Sequence, residues 1–232
     1  MTMIRALVVA DEESKYIWDY FDRSRFRDID VIISCGDLKP TYLTFLTTMV
    51  SAPLLYVHGN HDAIMLKTPP EGCDNLELKM QVIKGVRFIG FGGANSRSPK
   101  PFHYTETDVN RQIVRRMQEI SFHGGFDVLV THAPAHGLGD GDDLFHKGFS
   151  AYRTLIDLYK PAYHFHGHQH LNYGGTGKRI LTYGDTTIYN GFGYSILELE
   201  FDIPKKRKRI SYIKARYDWS RAYGRQQSSR TE

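Results

Sequence analysis

Five short apolar runs in this chain end on a carboxylate, an amide or an imidazole. That recurrence limits the possible folds more than any other feature of the sequence. Ile4–Ala10 runs into Asp11-Glu12-Glu13, Val31–Cys35 into Gly36-Asp37, and Leu54–His58 into Gly59-Asn60-His61-Asp62. Asp127–Thr131 is followed by His132, and Ala162–His166 by Gly167-His168-Gln169-His170. Near-continuous apolar runs of this length are what strands buried on both faces require. In an open α/β sheet the ligand crevice lies outside the carboxyl ends of the strands, so these five ends converge on one place.

The segments between the runs support a layered α/β arrangement. Arg87–Phe91 reads as a further buried strand, and Lys15–Asp22, Thr41–Met49, Asp108–Ile120 and Ser150–Tyr159 read as helices. In the third of these helices Val109, Ile113, Met117 and Ile120 share one face, with Arg and Gln opposite. Strand–helix–strand alternation with short connections implies βαβ units with right-handed crossovers. The second half changes character. Arg179–Tyr183, Thr186–Asn190, Tyr194–Phe201 and Ile210–Tyr217 read as strands, with the turns Gly174–Gly177 and Tyr183-Gly184-Asp185 marking hairpins. No repeat or Ser/Pro linker divides the chain, so residues 1–220 are expected to form one domain and residues 221–232 a mobile basic tail.

Charge placement sharpens this picture. The net charge of +4 is uneven: residues 205–232 hold ten Lys/Arg against two acids, which leaves 20 basic and 24 acidic residues in 1–204. No run approaches the 18 or so apolar residues of a membrane span, so no membrane partner is expected. The N-terminus reads as a first strand rather than a signal peptide. Two cysteines, Cys35 and Cys73, can make neither a disulfide framework nor a thiolate zinc site, and they favour reduced thiols in a cytoplasm.

The strand-end groups suit metal chemistry. Carboxylate oxygens, an amide oxygen and imidazole nitrogens together fit borderline divalent ions such as Mn²⁺, Fe²⁺ or Zn²⁺. Seven of the 11 histidines fall between residues 132 and 170. Alternation along Gly167-His168-Gln169-His170 points His168 and His170 the same way, so each can meet a different ion. Asp140, Asp142 and Asp143 lack the glycine and terminal glutamate of a calcium loop. Gly174–Lys178 lacks the spacing and following helix of a phosphate loop. His164, His166 and His58 read as core or supporting residues, while His136 and His146 flank the glycine-rich segment 137–148.

Gly36-Asp37, Gly59-Asn60-His61-Asp62, Thr131-His132 and Gly167-His168-Gln169-His170, in this order after Asp11, resemble the calcineurin-like metallophosphoesterase superfamily. Thr131-His132-Ala133-Pro134 with Gly137-Leu138-Gly139-Asp140 looks like its bacterial and archaeal branch of predicted phosphoesterases. The resemblance implies an α/β fold, an αββα sandwich of two mixed β-sheets flanked by helices. It also implies two divalent ions, with Mn²⁺ favoured and Fe²⁺, Zn²⁺ or Mg²⁺ as alternatives. Asp11, Glu13, Asp37 and His170 would hold the first ion, and Asp37, Asn60, His132 and His168 the second. His61 would face the phosphate and leaving group, with Asp62 orienting it. A hydroxide shared by the two ions would attack phosphorus in line.

One position departs from the family pattern. Where the superfamily places a histidine two residues after its first aspartate, this chain has Glu13. A carboxylate still ligates Mn²⁺ or Mg²⁺ and shifts the site toward harder ions; alternatively the first site is weakened. The implied partner is a small phosphoester, a mono- or diester, its identity set by loops 63–80, 92–106 and 133–150. Two other readings stand beside the enzyme: a degenerate member serving as an interaction scaffold, and a nucleic-acid phosphodiesterase or binder using the basic C-terminal segment. In that segment Tyr212, Tyr217, Trp219 and Tyr223 interleave with Lys214, Arg216, Arg221 and Arg225.

Overall fold

Pairing of the first apolar run on both sides sets the position of everything around the site. The computed structural model describes residues 1–171, 178–204 and 208–228; the expected Gly174–Gly177 turn and the run Lys205-Lys206-Arg207 lie outside the described residues. β1 (Thr2–Ala10) is followed by α1 (Lys15–Asp19), β2 (Val31–Ser34), α2 (Pro40–Met49), β3 (Leu54–Tyr56) and the short β4 (Asp74–Asn75). Next come the antiparallel pair β5 (Met80–Ile83) and β6 (Val86–Phe91), and a small parallel pair, β7 (Ala94–Asn95) and β8 (His103–Tyr104). α3 (Glu106–His123), β9 (Val128–Thr131), α4 (Ser150–Tyr159) and β10 (Tyr163–His166) form the second βα series. β11 (Ile180–Tyr183), β12 (Thr186–Asn190), β13 (Gly193–Phe201) and α5 (Tyr212–Ser228) complete the chain.

The strands make two large mixed sheets. The first has the order β13-β1-β2-β3-β4, and the second β11-β12-β10-β9-β6-β5. β1, β2, β3 and β4 run parallel while β13 returns antiparallel along the whole of β1. In the second sheet the parallel core β6-β9-β10-β12 carries an antiparallel strand at each edge.

Alternation along β1 divides its side chains between two apolar layers, as a pleat of period two requires. Ala6 and Val8 face inward, where they meet Phe88, Val130 and Phe165 of the second sheet. Leu7 and Val9 face outward onto Tyr42, Leu43 and Leu46 of α2. On the far side Ile89 and Leu129 pack with Ile113 and Met117 of α3, Leu155 of α4 and Trp219 of α5. The result is the expected αββα sandwich of two mixed sheets flanked by helices. α3 is fixed at both ends, by a capping box between Thr105 and Asp108 and by a left-handed Gly124.

The C-terminal segment differs from expectation. Ile210–Tyr217 was expected to be a strand, yet residues from Tyr212 to Ser228 form α5. The stretch 221–228, expected to belong to a mobile tail, continues this helix, with Ala222 buried and Gln226 donating to Asp157 at 2.8 Å. The physical reason is a stripe at helical period: Ala215, Trp219 and Ala222 are all buried. No helix among the described residues is long and apolar enough to cross a membrane.

Candidate metal centre

Three strand ends turn sharply into the site. Asp11, Asp37 and His168 adopt left-handed backbone conformations, with φ of 64°, 57° and 65°. Each costs a residue with a β-carbon about 1–2 kcal/mol, and strain of this kind gathers where side chains must be aimed. The expected strand alternation does not extend through His168 and His170: β10 ends at His166, and His168 itself is left-handed. Two glycines let the loops meet. A β-carbon on Gly36, itself at φ 95°, would lie 2.4 Å from the Gly59 amide nitrogen, and one on Gly59 would lie 2.0 Å from Asp37 Oδ1.

These turns bring ligand atoms of Asp37, His132 and His168 within 4.8 Å of one another. His132 is fully buried, and its Nδ1 lies 2.8 Å from the Cys35 carbonyl, to which it donates. Its Nε2 then faces two oxygens, Asn60 Oδ1 at 3.0 Å and Asp37 Oδ2 at 3.3 Å. Two acceptors aimed at an imidazole lone pair repel it unless a cation intervenes. In the metal-free chain a proton fills that role. Burial opposes the charge, but the adjacent Asp37 carboxylate overrides burial and raises the His132 pKa to about 9. Asp37 responds in the opposite sense: burial disfavours its charge, and His132 outweighs that and lowers it to about 2. A divalent ion meets the same need with the same atoms. Carboxylate, amide oxygen and imidazole, with the other ring nitrogen tied to a carbonyl, are what such a centre requires. The residues fit the metal.

His168 joins from the second sheet. Its backbone N–H donates to both Asp11 carboxylate oxygens at 3.0 Å, and its Nε2 lies 2.7 Å from the Phe145 carbonyl. Burial lowers its pKa to about 3. Asp11 occupies the edge of the cluster, its pKa raised to about 6, chiefly by burial. His170 Nε2 is 3.9 Å from Asp11 Oδ1, with the ring 57% exposed. Glu13 lies outside the cluster and turns to Lys39, accepting from its backbone N–H at 3.4 Å with the ammonium at 3.6 Å. The structure thus assembles Asp37, Asn60, His132 and His168, sets Asp11 and His170 beside them, and leaves Glu13 apart.

His61 is exposed at the mouth, and its backbone N–H donates to Asp37 Oδ1 at 2.8 Å. Asp62 was expected to orient the His61 ring. Its buried carboxylate instead accepts the amides of Gly59 at 2.7 Å and Asp37 at 2.9 Å, which clamps the two loops together. His164 and His166 are buried core residues, His164 bonded to Thr131 at 2.8 Å, and burial lowers the pKa of both. His146 lies 5.4 Å from the His168 ring, and Gln169 donates to the His146 carbonyl at 2.6 Å, so loop 137–148 is tied to the site. His136 bonds Asp140 at 3.0 Å.

Several supporting contacts were invisible in the sequence. The Cys35 and Phe145 carbonyls are backbone groups that any residue would supply. Largely covered Glu77 pairs with His58, the residue that leads into the Gly59–Asp62 loop, and Phe102 stacks on His58 at 4.1 Å. A lone glutamate inside a run of short strands gave no signal of that role.

The family model for calcineurin-like phosphoesterases matches residues 10–172, from the last residue of β1 to just beyond His170. The chain belongs to that family. As a calcineurin-like phosphoesterase it shares its fold with several solved structures. One crystal structure superposes with a TM-score of 0.60 at 15% identity, covering 85% of this chain and 95% of the other. TT1561 of Thermus thermophilus gives 0.58 at 16% identity, covering 84% and 94%. GAP50, the anchor in the inner membrane complex of Plasmodium, gives 0.52 at 13% identity, covering 95% of each chain. At such identities the likeness concerns the fold alone. No curated protein matches this calcineurin-like phosphoesterase.

Proposed function

We propose that the chain hydrolyses a phosphate mono- or diester using divalent ions held between its two sheets. Asp37, Asn60, His132 and His168 would hold one ion, and Asp11 and His170, sharing Asp37 and joined by Glu13 once it leaves Lys39, would hold the other. Mn²⁺ is the favoured ion, with Fe²⁺, Zn²⁺ and Mg²⁺ as alternatives, because the donors are oxygen and imidazole without a thiolate. Bound ions supply a strong nucleophile at neutral pH and offset charge on the phosphate oxygens. The protein's part is positioning. Cys35 holds the His132 ring, Asp62 clamps the loops carrying Asp37 and Asn60, and exposed His61 delivers a proton to the leaving oxygen. The reading rests above all on the convergence of Asn60 Oδ1 and Asp37 Oδ2 on His132 Nε2. Free Cys35 and Cys73 fit a reducing cytoplasm as the setting.

The test is hydrolysis of nitrophenyl phosphate mono- and diesters by purified protein with each metal in turn. Activity with Mn²⁺ is expected, falling about 10²–10⁴-fold in His61→Ala and nearly vanishing in Asp37→Asn. Silence with every metal and both ester types overturns the proposal.

The Glu13–Lys39 contact favours a second reading. If Glu13 stays with Lys39, the first site lacks a ligand and the chain serves as a scaffold; GAP50, which has a similar fold, is an anchor. Elemental analysis separates the two: fewer than one transition ion per chain after metal-replete purification supports the scaffold.

A further inference from the structure

α5 and the residues leading into it carry positive charge that the described residues do not neutralise. Lys208, Arg209, Arg216, Arg221 and Arg225 have no carboxylate within ion-pairing distance among the described residues, and the helix's one acid, Asp218, is engaged by Lys214 at 2.5 Å. Three of these guanidinium groups rest on rings instead. Arg209 lies 4.1 Å from the centre of Phe122, Arg216 lies 6.0 Å from that of Tyr212, and Arg221 lies 5.6 Å from that of Tyr217. Hydrogen bonds of 3.4 Å and 3.3 Å tie Arg216 and Arg221 to the hydroxyls of the same tyrosines. A ring holds a flat cation in place without cancelling its charge.

The face is free because the helix's apolar side is already used. Ala215, Trp219 and Ala222 pack inward, and Trp219 Nε1 donates to Asn110 of α3 at 2.9 Å. Arg216, Tyr217 and Arg221 point the other way, and Tyr217 is 58% exposed. Charge and aromatic planes therefore alternate along one surface, on the outside of the helical layer that covers the second sheet.

We propose that this outward face of α5, with Lys208 and Arg209 leading into it, binds single-stranded nucleic acid. The cations match a phosphodiester backbone, and the tyrosines offer planes on which unpaired bases stack, the combination that sequence-tolerant single-strand binding uses. An anionic membrane is the weaker fit. Lying in a lipid surface requires an apolar face to insert, and here the apolar face of the helix is buried, leaving Ile213 as its one exposed large aliphatic side chain among the described residues. The proposal is independent of whether the metal centre hydrolyses anything.

The test measures binding of fluorescent 20-nucleotide polyuridine and polythymidine to the full chain across a salt series. Each neutralised phosphate contributes about −0.7 to the slope of log affinity against log salt, so five cations predict a slope approaching about −3.5. Arg216→Gln with Arg221→Gln should reduce that slope in magnitude by about 1.4. Tyr217→Ala should weaken binding about tenfold and leave the slope unchanged. Thermal unfolding of each variant at the wild-type midpoint shows that the fold is intact. Binding of either strand with these responses supports the proposal. No binding at low salt, binding indifferent to the arginine substitutions, or retention on phosphatidylserine vesicles without binding to either strand overturns it.

Discussion

Asp11 is the acid whose charge the fold opposes most clearly, since its side chain is wholly buried and its pKa is raised from 3.8 to about 6, mainly by that burial. The sign follows from proton counting. Between pH 4 and 6 the folded chain binds more protons at this site than the unfolded chain, so stability is lost as pH rises through that window. Asp11→Asn keeps an oxygen for the His168 amide and removes the charge. In chelator at pH 7 it should therefore stabilise the protein by about 3 kcal/mol, and the gain should shrink toward zero by pH 4. Urea unfolding at the two pH values checks this, and a variant less stable than wild type at pH 7 contradicts it. Residues such as Asp37, Asn60 and His132 were legible in sequence because motif order and strand-end placement converge on them. The pairing of Glu13 with Lys39 was not, since nothing local couples positions 26 residues apart. Nor was the task of Asp62, whose partners are backbone amides and carry no sequence signature.

The elements most readable in advance were those with one period and clear ends. α3 combines an apolar stripe with a capping box, and β1 to β3 are apolar runs cut by glycine or acid, so all four lie within a few residues of their expected bounds. α5 was misread for a specific reason. Ile210, Tyr212, Ile213 and Tyr217 supply the β-branched and aromatic side chains of a strand, while the helical stripe is carried by two alanines and one tryptophan, Ala215, Trp219 and Ala222, whose small members are easily overlooked. The tryptophan is the anchor. Trp219→Ala removes a side chain that is 2% exposed, together with its bond to Asn110, and should cost about 3–5 kcal/mol in urea unfolding. A loss below about 1 kcal/mol would mean that α5 is not held as described. Because this helix belongs to the core, deleting it damages the fold, and its outward face has to be examined by point substitution.

Across the whole molecule, the centre joins the two halves. Asp11, Asp37 and Asn60 come from the ends of β1, β2 and β3 in the first sheet, and His132 and His168 follow β9 and β10 in the second. An ion bound there ties the sheets together and is absent from the unfolded chain, so it stabilises by mass action. At 100 times its dissociation constant the gain is about 2.7 kcal/mol, or roughly 5–10 °C in thermal midpoint for a chain of this size. Scans with and without Mn²⁺ should show that shift, and Asp37→Asn should abolish most of it. No shift with Mn²⁺, Zn²⁺ or Mg²⁺ would count against a centre spanning the sheets. The apolar layer between the sheets then acquires a second meaning. Ala6, Val8, Phe88, Val130 and Phe165 set the gap between the sheets, and with it the gap between carboxylates on one side and imidazoles on the other. The thickness of an oily filling is thus the ruler by which the candidate metal ligands are spaced. A methyl group gained or lost deep in that layer alters the chemistry at its rim without touching a single ligand.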